Sequence, residues 1–214
     1  LAPNTRIYLG NSLSIREWDL AATREPRGFV YEANRGANGI DGVVSTAIGV
    51  ALSAPERPAY ALLGDLTFVH DANGLLVGPD EARPDLTVIV VNDDGGGIFT
   101  ILEPGEPGRS DGFERVFGTS TGTDIGALCR AHGVEHDVVT GPDALARAVA
   151  APPSGIRVVE VRADRSRHRA DQEALRAIAA RAVGILLELA DEFEVVIVAV
   201  SWRIDLMSAW FSAE

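Results

Sequence analysis

Ala59-Tyr60-Ala61-Leu62-Leu63-Gly64-Asp65-Leu66 and Leu86-Thr87-Val88-Ile89-Val90-Val91-Asn92-Asp93-Asp94-Gly95 decide the fold of this chain. Each stretch is an apolar run that stops at an acidic, glycine-marked tip. Continuous apolar runs of this length suit strands of a parallel sheet covered on both faces. If the two runs are neighbouring parallel strands, Gly64-Asp65 and Asn92-Asp93 reach the same sheet edge. Open α/β sheets bind their ligands at that edge. Two carboxylates, an amide and glycine-exposed carbonyls make a hard-oxygen site, suited to Mg²⁺ or Ca²⁺ holding a phosphorylated ligand.

Outward from this pair, strand and helix signals alternate in a βαβα rhythm. Residues 7–9 and 29–31 read as short strands, and Asn11 or Ser12 is placed to cap the helix after the first. Residues 41–52 suit a packed helix. Thr123-Asp124 precedes a helix over 125–131, and residues 137–139 read as a strand. Pro142 opens a helix over 143–150, and residues 156–161 close the rhythm as a strand. The expected fold is therefore α/β, three α/β/α layers around a mainly parallel sheet. Residues 103–123, rich in Gly, Pro, Ser, Thr and charge, read as a mobile loop long enough to be a lid.

A domain over residues 1–169 is expected, followed by an extension over 170–214. The extension opens with a helix over 170–190, with Leu175, Ile178, Ala179, Ala182, Ile185, Leu186 and Leu189 on one side. The run 193–200 is very apolar, and Trp202, Met207, Trp210 and Phe211 continue it. That run is far shorter than the roughly 20 residues of a helical membrane span, so no stable membrane insertion is expected. It reads as an extra strand, an interface element, or a stretch not native to this fold.

The formal charge of −12 argues against nucleic acid as a partner. A single cysteine, Cys129, excludes an internal disulfide framework and reads as a small buried hydrophobe. The four histidines have no metal-ligand spacing, and neither His70 nor His132 is assigned acid–base work. No signal peptide is evident, so a cytoplasmic location is expected. Gly36, Gly39 and Gly42 lack the dinucleotide-binding spacing.

The paired motifs resemble those of thiamine-diphosphate enzymes, with Gly64-Asp65 at one strand end and Asn92-Asp93 at the next, separated by residues 67–91. Leu66 stands where Gly is usual, and Asp93 where Asn is usual. Four blocks resemble one branch in particular: 10–16 (Gly-Asn-Ser-Leu-Ser-Ile-Arg), 34–42, 64–71 (Gly-Asp-Leu-Thr-Phe-Val-His-Asp) and 92–99. That branch is the family of menaquinone-pathway synthases making 2-succinyl-5-enolpyruvyl-6-hydroxy-3-cyclohexene-1-carboxylate. The resemblance covers roughly residues 5–165.

The resemblance implies thiamine diphosphate with Mg²⁺ (or Mn²⁺) as cofactors, and 2-oxoglutarate and isochorismate as substrates. It implies Asp65, Asp93 and the Gly95 carbonyl as metal ligands, with Asn92 as the alternative ligand. Gly64, Asp65, Leu66 and Thr67 would hold the diphosphate, helped by the start of a helix. Ile40 would prop the cofactor in a bent form. Ser12 and Arg16, four apart and so on one helix face, and Arg35 would position substrate carboxylates, because arginine forks bind carboxylates bidentately. Ile98, Phe99 and Leu102 would line the pocket.

The chain opens at Leu1 and runs almost at once into a strand, as expected of the C-terminal part of a longer protein. The resemblance implies two further domains upstream, one of which supplies the pyrimidine-binding face and an activating glutamate. A homodimer or homotetramer is then implied, and the isolated chain should be inactive. Two other readings remain open on the sequence. One is another thiamine-diphosphate-dependent 2-oxo acid decarboxylase or carboligase, and the other a non-catalytic cofactor-binding module.

Overall fold

The computed structural model describes residues 1–22, 25–34, 38–109 and 111–192, and of 186–192 the backbone only. The chain divides into two compact units, Leu1–His168 and a second that begins at Arg169. In the first, β1 (Arg6–Leu9), α1 (Leu13–Ala21), β2 (Val30–Ala33), α2 (Val43–Leu52), β3 (Ala59–Gly64) and α3 (Asp65–His70) follow one another. They continue as β4 (Leu86–Asn92), α4 (Gly97–Thr100), α5 (Ile125–Ala131), β5 (Glu135–Val139), α6 (Pro142–Ala148) and β6 (Ile156–Arg162).

The six strands form one sheet in the order β2-β1-β3-β4-β6-β5, and every pair is parallel. The chain steps from β1 outward to β2, then back across to β3 on the other side of β1. Crossovers of the usual right hand, taken in opposite directions along the sheet, would put helices on both faces. They also open a crevice beyond the carboxyl ends of β1 and β3, the topological switch point of the sheet.

β3 and β4 are neighbours in register, Ala59 opposite Leu86 and Gly64 opposite Val91, as the two apolar runs require. Their side chains fill the core. Ala61, Leu63, Val88 and Val90 are fully buried and pack with Val43, Val44, Phe68 and Leu75. Cys129 belongs to the same core, and burial raises its thiol pKa to about 11. It therefore stays a protonated hydrophobe at neutral pH, as expected from the sequence.

Several local expectations need adjusting. Ser12 occupies the N-cap position of α1 with φ 72 but makes no side-chain cap bond. The Asn11 amide instead donates to the Gly39 carbonyl at 2.6 Å. β2 begins and ends later than residues 29–31, and α2 begins at Val43 because Gly42 turns left-handed at its entrance. Asp124 does cap α5, accepting the Ala127 N–H at 2.9 Å. Residues 103–123 are not featureless. They carry a 3₁₀ turn, Glu103–Gly105, and a π turn, Glu114–Gly118.

The helix expected over 170–190 is present as α7 (His168–Glu192). Its Leu175, Ile178 and Ile185 are exposed rather than buried in a core. The apolar run 193–200 and Trp202, Met207, Trp210 and Phe211 lie outside the described residues. Among those described, no helix is long and apolar enough to cross a membrane.

Candidate functional site

A cavity of about 450 Å³ lies at the switch point. Three chain reversals wall it. Ser12 and Arg16 come from the turn after β1 and from α1. Gly64, Asp65, Leu66 and Thr67 come from the tip of β3. Asp93, Gly95, Ile98 and Phe99 follow β4. Ile40, on the approach to α2, completes the wall. Arg35 lies outside the described residues. Leu102 is 46 % exposed and is not among the residues lining the cavity. α4 ends at Thr100, so the chain has left the wall before it.

The two carboxylates are both nearly covered, Asp65 at 8 % and Asp93 at 9 % exposure. Asp65 accepts two backbone donors, the Leu66 N–H at Oδ1 and the Gly95 N–H at Oδ2, both at 2.8 Å. The second bond ties the tip of β3 to the turn after β4. The Leu66 N–H is thus engaged by its neighbour's carboxylate rather than held open for a ligand. Asp93 lies 3.6 Å from His168 Nδ1.

Asn92, the alternative ligand, is turned away from the cavity. Its Nδ2 donates to Glu160 at 2.7 Å and its Oδ1 accepts the Asp94 N–H at 3.0 Å. The geometry therefore favours Asp93 over Asn92 as the side chain facing the site. The Gly95 carbonyl accepts the Gly97 N–H at 2.9 Å, which leaves one of its two lone-pair directions for another partner.

The three glycines of 95–97 have a steric reason. A Cβ on Gly95 would collide with the Gly118 carbonyl, and one on Gly96 with the Phe117 carbonyl. On Gly97 it would strike the Asp93 carboxylate. The π turn Glu114–Gly118 packs directly on this loop. The Gly96 N–H donates to the Gly118 carbonyl at 2.7 Å, and the Phe99 and Phe117 rings sit 5.3 Å apart. Arg165, just past β6, bonds both the Asp94 carbonyl and the Glu114 carboxylate. The segment expected to be a lid is thus tied to the site at its Glu114–Gly118 end.

Sequence reading missed Arg165, Glu114, His168, His136, Glu160 and Glu17. Only Glu160 carried a signal, a carboxylate inside the apolar run 156–161.

Burial sets the electrostatics. It pushes the Asp65 carboxyl up to about 6, a rise that the Leu66 N–H opposes and neighbouring Asp93 reinforces. Burial likewise raises Asp93, against the opposing charges of His168 and Arg165. It also raises Glu17 on the cavity wall, against His168. Two crowded carboxylates and a main-chain carbonyl are a hard-oxygen donor set, and a divalent cation between them would offset their repulsion. No group of three or more His, Cys, Asp or Glu side chains is arranged as a metal cage among the described residues. A cation here would complete its shell with ligand phosphates and water, as Mg²⁺ commonly does. The residues present fit a metal-bridged diphosphate.

A raised carboxyl pKa has a defined sign. Folded Asp65 holds its proton up to about pH 6, whereas the unfolded chain releases it near 3.8. The metal-free fold therefore has this contribution in full below about pH 4 and loses it as pH rises through 6. Asp65→Asn does not titrate. Its melting temperature relative to wild type should climb between pH 4 and pH 7 in chelator-treated protein, read by circular dichroism. A difference that stays constant across that range would contradict the raised pKa.

Three comparisons bear on the site. The family model described as "Thiamine pyrophosphate enzyme, C-terminal TPP binding domain" matches residues 15–161. The chain is 56 % identical to the 2-succinyl-5-enolpyruvyl-6-hydroxy-3-cyclohexene-1-carboxylate synthase of Saccharopolyspora erythraea, over 83 % of this chain and 31 % of that protein. It is 51 % identical to the synthase of the same name from Rhodococcus erythropolis, over 83 % and 33 %. The chain thus spans about a third of the length of the curated relatives it matches. Among solved structures, benzoylformate decarboxylase from Polynucleobacter necessarius superposes with a TM-score of 0.54 at 22 % identity, covering 76 % of this chain and 30 % of that one. That likeness speaks to the fold alone. With the matched span running from α1 to the end of β6, across the tips that carry Asp65 and Asp93, this chain belongs to the family of C-terminal TPP-binding domains of thiamine pyrophosphate enzymes.

Proposed function

We propose that this chain is the diphosphate- and metal-binding domain of a carboligase that joins decarboxylated 2-oxoglutarate to isochorismate in menaquinone biosynthesis. The observation that carries the reading is one cavity walled both by the Asp65–Asp93 pair and by Ser12, Arg16, Ile40, Ile98 and Phe99. The names of the relatives at 51–56 % identity support the choice of reaction. In this reading Asp65, Asp93 and the Gly95 carbonyl hold Mg²⁺ or Mn²⁺, and Gly64, Leu66 and Thr67 flank the diphosphate. Bound thiamine diphosphate supplies the nucleophilic carbon that lets a 2-oxo acid lose CO₂ and add to an acceptor.

The chain's own residues do the positioning. Ile40 presents an apolar surface against which the cofactor bends. Arg16 supplies a cation for a substrate carboxylate. It donates to the Ser12 carbonyl at 2.6 Å, which holds the guanidinium on the cavity wall. Arg35 is assigned the same role. Ile98 and Phe99 would give the reacting centre an apolar wall that excludes water, whose proton would otherwise compete with ligation. Leu102 keeps only a peripheral place in this account. The pyrimidine face and the activating glutamate are assigned to another domain, contributed across a dimer or tetramer in the cytoplasm.

In the assembled enzyme, Asp65→Ala should abolish Mg²⁺-dependent binding of thiamine diphosphate. It removes an anionic ligand and the anchor of the Gly95 N–H together. Calorimetric titration with and without Mg²⁺ measures this, and unchanged affinity would remove the metal assignment.

Arg16→Ala should lower kcat/KM for a dicarboxylate substrate while cofactor affinity stays at the wild-type value. Loss of a charge-assisted hydrogen bond costs about 1.5–3 kcal/mol, roughly ten- to a hundredfold in kcat/KM. Parallel kinetics varying 2-oxoglutarate and isochorismate assign the arginine to one of them. Wild-type kinetics with both would exclude it as a substrate clamp. Turnover of other 2-oxo acids in preference to 2-oxoglutarate would favour a different decarboxylase or carboligase.

A further inference from the structure

Behind Asn92 lies a buried acid that the cofactor reading leaves unused. Glu160 stands on β6, opposite Val90 of β4 and Val138 of β5, and is 1 % exposed. Three side chains converge on its carboxylate. Asn92 Nδ2 donates to Oε1 at 2.7 Å, Arg162 Nε lies 2.7 Å from the same oxygen, and His136 Nε2 lies 2.8 Å from Oε2. A carboxylate this deep is costly to keep unless it is fully partnered. Partnered, it dictates how its neighbours sit.

Asn92 is the neighbour that matters. With Nδ2 held on Glu160, its Oδ1 faces forward along the chain and accepts the Asp94 N–H. The opposite amide orientation is excluded from both ends. It would aim Oδ1 at a carboxylate and Nδ2 at a backbone N–H. The bond from Asn92 to Asp94 closes an Asx turn. Asp94 takes φ 60, a left-handed conformation uncommon for residues other than glycine and reached most readily by Asn and Asp. The next residue sends its N–H to Asp65. The turn therefore fixes Asp93, the Gly95 carbonyl and the partner of Asp65 together.

We propose that Glu160 is a positioning residue: it orients the Asn92 amide and, through it, sets the 92–95 turn that presents Asp93 and Gly95. Its consequence for metal binding rests on the metal–diphosphate reading above; the turn itself does not. Glu160 touches neither cavity nor ligand. Residues of this kind behind metal ligands commonly change affinity ten- to a hundredfold when replaced. Arg165 and Ser120 hold Asp94 from the other side, so loss of Glu160 should loosen the turn without detaching it.

The test uses the assembled enzyme and two readouts. The first is hydrogen exchange of the Asp94 amide in metal-free protein, followed by NMR. The second is Mn²⁺ affinity with thiamine diphosphate present. Glu160→Asp withdraws the carboxylate by one methylene. It should speed exchange at Asp94 at least about tenfold and weaken Mn²⁺ about ten- to a hundredfold. Glu160→Gln keeps an acceptor for Asn92 and should restore both. Asn92→Ala should match Glu160→Asp, and the double variant should be no worse than either single one.

An unchanged Asp94 exchange rate in folded Glu160→Asp, or effects that add in the double variant, would overturn the proposal. Should Glu160→Asp fail to fold, Glu160→Gln and Asn92→Ala decide it: equal protection of Asp94 in the two would overturn it. A wild-type assembled enzyme that binds no Mn²⁺ removes the metal reading alone, and the exchange rates still settle the role of Glu160.

Discussion

Two buried carboxylates brought to one end of a parallel sheet are the constraint on which the rest of the site depends. Asp65 and Asp93 each terminate a strand whose side chains are core, so neither can retreat to solvent without unravelling β3 or β4. Burial raises both acids. The surrounding structure answers with directed groups: the Leu66 and Gly95 N–H groups on Asp65, and His168 and Arg165 beside Asp93. What these donors leave unbalanced is a demand for positive charge at the mouth of the cavity. In the reading proposed above, a divalent cation with its phosphates would answer that demand.

The loop after β4 shows how tightly the demand is met. Its three glycines are needed less for the turn itself than for what lies against it. The carbonyls of Phe117 and Gly118 occupy the space two Cβ atoms would take, and the Asp93 carboxylate occupies a third. Arg165 then bonds the Asp94 carbonyl on this loop and the Glu114 carboxylate of the segment above it. The site is assembled from chain segments distant in sequence and held by backbone and side-chain groups together, and the glycines of 95–97 leave no room for a Cβ.

The sheet and its acidic edge were legible because period and punctuation coincide. Two long apolar runs each end in a glycine–acid tip, and parallel pairing follows. Ser12, Arg16, Ile40, Ile98 and Phe99 were named through the family resemblance rather than through any local pattern, and all five line the cavity. What escaped was set by distance. Nothing local marks Arg165 as the partner of Asp94 and Glu114, or shows that Asn92 spends its amide on Glu160. Leu102 was misplaced because α4 is only one turn long and the chain leaves the cavity wall after it. The exposed Leu175, Ile178 and Ile185 show the limit of periodicity: it marks a helix face without naming what the face meets.

The most direct test of the account is the position of a bound metal. Crystals grown with Mn²⁺ and thiamine diphosphate, measured at the manganese absorption edge, would locate the ion by its anomalous signal. The account predicts a single strong peak within coordination distance of both the Asp65 and Asp93 carboxylates, with diphosphate density beside it at the start of α3. A peak on Asn92 or on another part of the surface, or cofactor density with no metal between these two acids, would contradict it.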